Sequence, residues 1–207
     1  MEKISLYDLL SILLPGAIFT FALEIIMAYL GFDINSIIIN DYFNLTIFLS
    51  SSIFLGSVIN TTTRATLWIH KKIGLYTPLD KIYKHSSHLE QIKPFYSEMI
   101  KNVKSKKPID FIWSTIYYEL EAKEQISSPK TFQSFYFFFR NFFTIGVLLL
   151  IPAAFSFKVI GFNIEYLMLI TTIITSILLS IYAGRWYRAK MVERLLWTYY
   201  SLNKKTK

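Results

Sequence analysis

Cysteine is absent from the 207-residue chain, and glycine (7) and proline (6) are scarce. Without cysteine there is no disulfide scaffold, no Fe–S or thiolate–zinc site and no thiol nucleophile. That absence fits any compartment and identifies none. The few glycines never gather into a glycine-rich loop, which excludes a phosphate-cradling P-loop and a dinucleotide fingerprint. A serine-nucleophile elbow and an HExxH helix are missing too. Imidazoles number three, His70, His85 and His88. His85-x-x-His88 sets two on one helical face, but no third ligand follows at helical spacing, so no metal site is expected. Glu119, Glu121 and Glu124 read as a solvated helix face rather than a catalytic set. The chain is therefore expected to have no catalytic residues and no cofactor. Charged residues make up only 17%, against roughly 25% in soluble domains.

What is plentiful is apolar surface. Hydrophobic residues reach 53%, with 18 Phe, 14 Tyr and 4 Trp, and mean hydropathy is +0.39. Such a chain is too apolar for a disordered tail and must hide its surface in lipid or in a large oligomer. Four runs approach the roughly 20 apolar residues that cross a bilayer. They are about Leu9 to Leu30, Tyr42 to Asn60, Phe142 to Ile160 and Ile164 to Ala183. The second is the weakest, diluted by Ser50, Ser51, Ser52 and Ser57. A cleaved signal peptide fits the start poorly, with Lys3 beside Glu2 and no clean small-x-small site.

Charge then sets the expected orientation. The net charge is +8, from 22 Lys plus Arg against 14 Asp plus Glu. Thirteen of the basic residues lie in 64–140 and seven in 185–207, whereas residues 31–41 hold two Asp and no Lys or Arg. The positive-inside rule places both basic segments, and both termini, in the cytoplasm. The expected fold is an all-α membrane protein: four transmembrane helices with a helical cytoplasmic head. Residues 1–63 carry the first two spans, 64–140 a basic helical insert, 141–184 the last two spans, and 185–207 a basic-aromatic helical tail.

Inside the insert, Ile109, Ile112, Trp113, Ile116 and Leu120 form one apolar helical face over Ile109 to Gln125, with Pro108 in the first turn. Pro94 interrupts a basic stretch from Pro78 to Val103. Ser127-Ser128-Pro129 reads as a helix start for a segment running into the third span. The fourth span is expected to continue as a helix past the interface.

Several residues are candidates for function. Glu24 is the one acid well inside a span. It either lines a pore, binds a cation or relays a proton, or it is a protonated or hydrogen-bonded glutamate roughly 9 Å from the span's end. Ser52, Gly56 and Asn60 in the second span, and Thr172, Ser176 and Ser180 in the fourth, form narrow polar stripes. These suit close helix packing or the lining of a pore in a homo-oligomer. Pro15-Gly16 makes either a hinge in the first span or the turn of an interfacial helix. In the insert, nine lysines from Lys71 to Lys107 are interleaved with Tyr76, Tyr83, Phe95 and Tyr96. Lysines with aromatics suit a nucleotide or single-stranded nucleic acid. The positive-inside bias alone, or an anionic lipid surface, accounts for the same pattern. The ligand-binding candidates are Lys101, Lys104, Lys106, Lys107, Arg185 and Arg188.

The opening SLYDLLSILLPG (Ser5 to Gly16), the basic-aromatic insert and the RWYR…W tail (Arg185 to Arg188, then Trp197) carry a resemblance. In these runs and in layout the chain resembles small bacterial membrane proteins of anti-phage defence, the channel-forming effectors of Hailong-type systems. The resemblance implies a homo-oligomer in the bacterial inner membrane. It also implies an oligonucleotide ligand made by a partner nucleotidyltransferase. The function expected is a channel or pore-forming effector gated by an anionic ligand at the cytoplasmic head. The alternative is a membrane-anchored scaffold that conducts nothing. A transporter ranks below both, since no inverted repeat is visible.

Overall fold

A computed structural model describes residues 6–31, 41–105 and 108–205. Among these every regular element is helical. α1 (Leu6–Asp8) passes through a π-helical turn (Leu9–Leu13) into α2 (Leu14–Tyr29). α3 (Asp41–Ala65) and the short α4 (Leu67–Lys72) follow. α5 (Leu79–His85), a 3-10 turn (Ser87–Leu89), α6 (Lys93–Asn102) and α7 (Pro108–Ala122) come next. Two long helices, α8 (Ser127–Ile160) and α9 (Ile164–Lys205), complete the chain. Residues 32–40 of the stretch that lacks Lys and Arg, Ser5 of the opening run, and Lys106 and Lys107 lie outside the described residues.

Four helices are long and apolar enough to cross a membrane: Leu6–Ala28, Asn44–Ala65, Ser127–Lys158 and Ile164–Lys204. A bilayer core takes about 20 helical residues, so the last two, at 32 and 41 residues, overrun it. The chain divides into two compact units. One comprises Met1–Leu75 and Ser134–Gly184, the other Tyr76–Gln133 and Arg185–Lys207.

The first unit has an apolar interior of Ile26, Ile59, Ile145, Leu149, Ala153 and Ile173. Its outward faces are also apolar: Phe21, Phe54, Ile151, Phe155, Leu178 and Tyr182 are all exposed. Exposed apolar side chains on these helices accord with their length and composition, which suffice to cross a membrane. Within it α2 and α3 meet backbone to backbone. A Cβ added to Gly16 would overlap the Ser52 carbonyl oxygen, and one added to Gly56 would overlap the Ile12 carbonyl oxygen. Only glycine permits this approach.

Pro15 neither breaks the first span nor ends it. Proline has no N–H for the carbonyl four residues back, and its ring crowds that carbonyl. Here the carbonyl belongs to Ser11. The chain widens into the π turn just before Pro15, where the Leu14 amide reaches back to the Leu9 oxygen. Asn141 Nδ2 then donates to the Ser11 oxygen at 2.6 Å. A side chain from α8 thus supplies the donor that proline removes.

The second unit is held by its own core, in which Ile82, Leu89, Ile92, Tyr96 and Leu195 are buried. α7 presents the expected stripe, with Ile112, Ile116 and Leu120 buried. Its end is a Schellman motif: Gln125 N bonds the Leu120 oxygen at 2.9 Å and Glu124 N the Glu121 oxygen at 3.0 Å. Glu124 occupies the left-handed position at φ 55°, where glycine is the usual residue. Pro94 sits in the first turn of α6, where its missing N–H costs no helix bond.

Candidate functional site

Polar residues gather inside the first unit, among helices that are otherwise apolar. Arg140 and Asn141 on α8, Asn60 and Thr63 on α3, Thr144 on α8, Ser11 in the π turn and His70 on α4 are all buried. Arg140 Nη2 donates to Asn60 Oδ1 at 2.9 Å. Asn141 Nδ2 reaches the same oxygen at 3.4 Å. Thr63 Oγ1 lies 2.8 Å from Thr144 Oγ1 and donates to the Ile59 oxygen at 2.7 Å. The Arg140 guanidinium lies 4.5 Å from the centre of the Phe137 ring, a cation–π contact strengthened by exclusion of water.

His70 packs edge-on against Phe143, ring centres 5.4 Å apart. Burial, and secondarily the Arg140 charge, lower its pKa from 6.5 to about 4. The imidazole is therefore neutral at pH 7. Ser11 Oγ, Asn141 Oδ1 and His70 Nδ1 are buried with no hydrogen-bond partner from the protein, so the cluster has polar capacity that its own side chains do not use. It is a place where a charge is kept inside an apolar bundle, at the end of α3 that carries Thr63.

Of the pore candidates, only Asn60 enters this cluster. Ser52 is fully buried at the α2–α3 contact, and its hydroxyl donates to the Phe48 oxygen at 2.7 Å. On α9, Thr172 is exposed and Ser176 half-buried. Ser180 is fully buried and donates to the Ser176 oxygen at 2.7 Å. Glu24 is half-buried on α2.

The cationic candidates lie in the second unit. Lys101, in the last turn of α6, and Lys104, in the connection that follows, are exposed. Neither makes an ion pair among the described residues, whereas Lys84, Lys123, Lys130 and Lys190 each pair with an acid. Lys106 and Lys107 lie outside the described residues. Arg185 is exposed. Arg188 is buried: its Nε donates to the Thr77 oxygen at 2.6 Å and its guanidinium lies 3.8 Å from the Tyr76 ring centre. That geometry makes Arg188 a clamp between α9 and the segment before α5. No acid triad or histidine set suited to a metal occurs among the described residues.

Arg140, Asn141, Thr63, Thr144 and His70 are absent from the site expected of the sequence. A signal exists for the first two, because Arg140-Asn141 interrupts the run Phe135 to Phe143, which is otherwise wholly aromatic. Charge in such a setting is a functional candidate for the same reason as Glu24. Comparison of the chain with protein-family models, curated proteins and solved structures finds no match.

Proposed function

We propose that the chain is a multi-pass bacterial inner-membrane protein that works as a channel or pore-forming effector, assembled from identical copies. Both termini face the cytoplasm. The open–closed equilibrium is biased by an anionic nucleotide or short single-stranded oligonucleotide bound at the cationic head, in keeping with the resemblance to anti-phage effectors. The observation that carries this reading is the buried Arg140–Asn60–Asn141 cluster among apolar helices. A desolvated guanidinium is costly in such a bundle, and an ionisable group buried among apolar helices is a functional candidate. Lys101 and Lys104 support the ligand side, since exposed lysines without an acid partner raise the local positive field. A ligand shifts the gate only by its difference in affinity for the two states.

A second reading, a non-conducting membrane scaffold, is favoured by one feature. Ser52 and Ser180 are buried within a single chain, with hydroxyls bonded to their own helices. Stripes of that kind serve packing. Ion flux from dye-loaded liposomes separates the two. The channel reading expects flux from wild-type protein with or without short single-stranded DNA, and altered flux in Asn60→Leu. Silent liposomes under every condition support the scaffold.

A further inference from the structure

The end of α3 carries a surface that neither unit's interior accounts for. Arg64, Trp68 and Lys72 recur four residues apart. The turn at Thr66 keeps the path helical, since Thr66 N still bonds the Thr62 oxygen at 3.0 Å and His70 N the Thr66 oxygen at 3.4 Å. All three side chains are exposed, Trp68 at 59%, while Thr63 and His70 on the other side are buried. Lys72 Nζ lies 5.0 Å from the Trp68 ring centre. Arg64 Nη2 donates to the Tyr7 hydroxyl at 3.1 Å, and Tyr7 is itself wedged edge-on against Phe137 at 5.4 Å. Neither Arg64 nor Lys72 has an acid partner among the described residues.

We propose that Arg64, Trp68 and Lys72, steadied by Tyr7, bind the headgroup of an anionic phospholipid. The inference rests on the chain being membrane-embedded, and on nothing about conduction. α3 is apolar enough to span from Asn44 to Ala65, so the three residues begin where hydrocarbon gives way to phosphate. Tryptophan prefers that level, its ring in the glycerol region and its N–H toward water. A guanidinium with one N–H held by Tyr7 keeps its remaining donors for phosphate oxygens. The Lys72 ammonium, 5.0 Å from the indole centre, adds a second charge beside the ring. A lipid phosphate is the anion delivered to this place by the bilayer itself.

The test uses full-length protein in vesicles of phosphatidylcholine with increasing phosphatidylglycerol, and counts retained lipid by native mass spectrometry. Wild type is expected to retain phosphatidylglycerol preferentially. Removal of both charges in Arg64→Gln/Lys72→Gln is expected to weaken retention about thirty-fold, from about five-fold per cation near an anionic surface. Lys123→Gln/Lys130→Gln, at two lysines each already held by a glutamate, should retain lipid as wild type does. Because the double variant is open to misfolding, a second measurement uses intact protein. Brominated phosphatidylglycerol should quench a tryptophan component that Trp68→Phe lacks, and brominated phosphatidylcholine should quench it less. Equal retention of the two lipids by wild type, undiminished retention by the double variant, or equal quenching by both lipids overturns the site. If wild type fails to float with vesicles at all, the membrane reading falls with it, and that outcome is distinct from flotation without lipid preference.

Discussion

Replacing Gly56 by alanine adds one methyl group where α3 touches the π turn of the first span. The new Cβ would meet the Ile12 carbonyl oxygen at an overlapping distance, with the Gly16 amide nitrogen 3.3 Å away. Both obstacles are backbone, so no rotamer change relieves them and the helices must part. Overpacking a tight core costs roughly 1–3 kcal/mol, and a rigid obstacle places this case near 3 kcal/mol. Gly16→Ala meets the Ser52 carbonyl in the same way and should cost a similar amount. Gly146→Ala is the contrast. Its Cβ would lie 2.6 Å from Ile177 Cγ1, the flexible side chain of a neighbouring helix, costing about 1 kcal/mol. Alanine returns about 1 kcal/mol of helix propensity over glycine at each of these helical positions, so the net cost is about 2 kcal/mol at 56 and 16 and near zero at 146. The assay is reversible unfolding in mixed micelles, read by circular dichroism. The absence of cysteine removes disulfide formation as a complication. If Gly56→Ala and Gly146→Ala unfold together with wild type, α2 and α3 are not in backbone contact and the reasoning fails.

Asn141→Leu deletes the donor to the Ser11 oxygen, which Pro15 leaves without a helix partner. A buried carbonyl left unpaired costs about 1–3 kcal/mol, so a destabilisation under 0.5 kcal/mol in the same micelle assay would contradict that role for Asn141. Burial, and secondarily the Arg140 charge, hold the His70 pKa at about 4 in the folded chain, below the ordinary 6.5 of an exposed imidazole. Between these pH values the unfolded chain holds more protons, so the contribution is complete above about 6.5 and is lost as pH falls toward 4. Its ceiling is about 3 kcal/mol, and His70→Phe should flatten that part of the stability–pH curve; an unchanged slope refutes the assignment. Glu124→Gly relieves a left-handed non-glycine residue at the end of α7 and should stabilise the second unit by about 1 kcal/mol, seen as slower amide exchange in α7.

Much of the architecture is legible in sequence because the length and apolarity that a membrane-crossing helix requires are properties of each helix separately. A span needs length and apolarity, both local properties, and so the four helices stand out of composition alone. The stripe of α7 is legible for a related reason: one buried face imposes a 3.6-residue period, and Ile112, Ile116 and Leu120 carry it. Helix starts at Pro108 and Ser127 follow from the chemistry of proline and serine at first turns. The same local logic leaves Pro15 ambiguous between a hinge and a turn. Its resolution depends on Asn141, 126 residues further on, which no pattern around Pro15 announces.

Composition, period and turn chemistry thus determined that this chain is helical, apolar enough to cross a membrane four times, and basic in two defined segments. Tertiary structure alone decided which polar residues meet. It joined Asn60 to Arg140 and Asn141, set Ser52 against Gly16, and closed Arg188 onto Thr77 and Tyr76. The reason is physical. Burial of apolar surface is additive along one helix and readable from it, whereas a hydrogen bond needs two groups brought within about 3 Å, and that distance is set by packing between helices far apart in sequence.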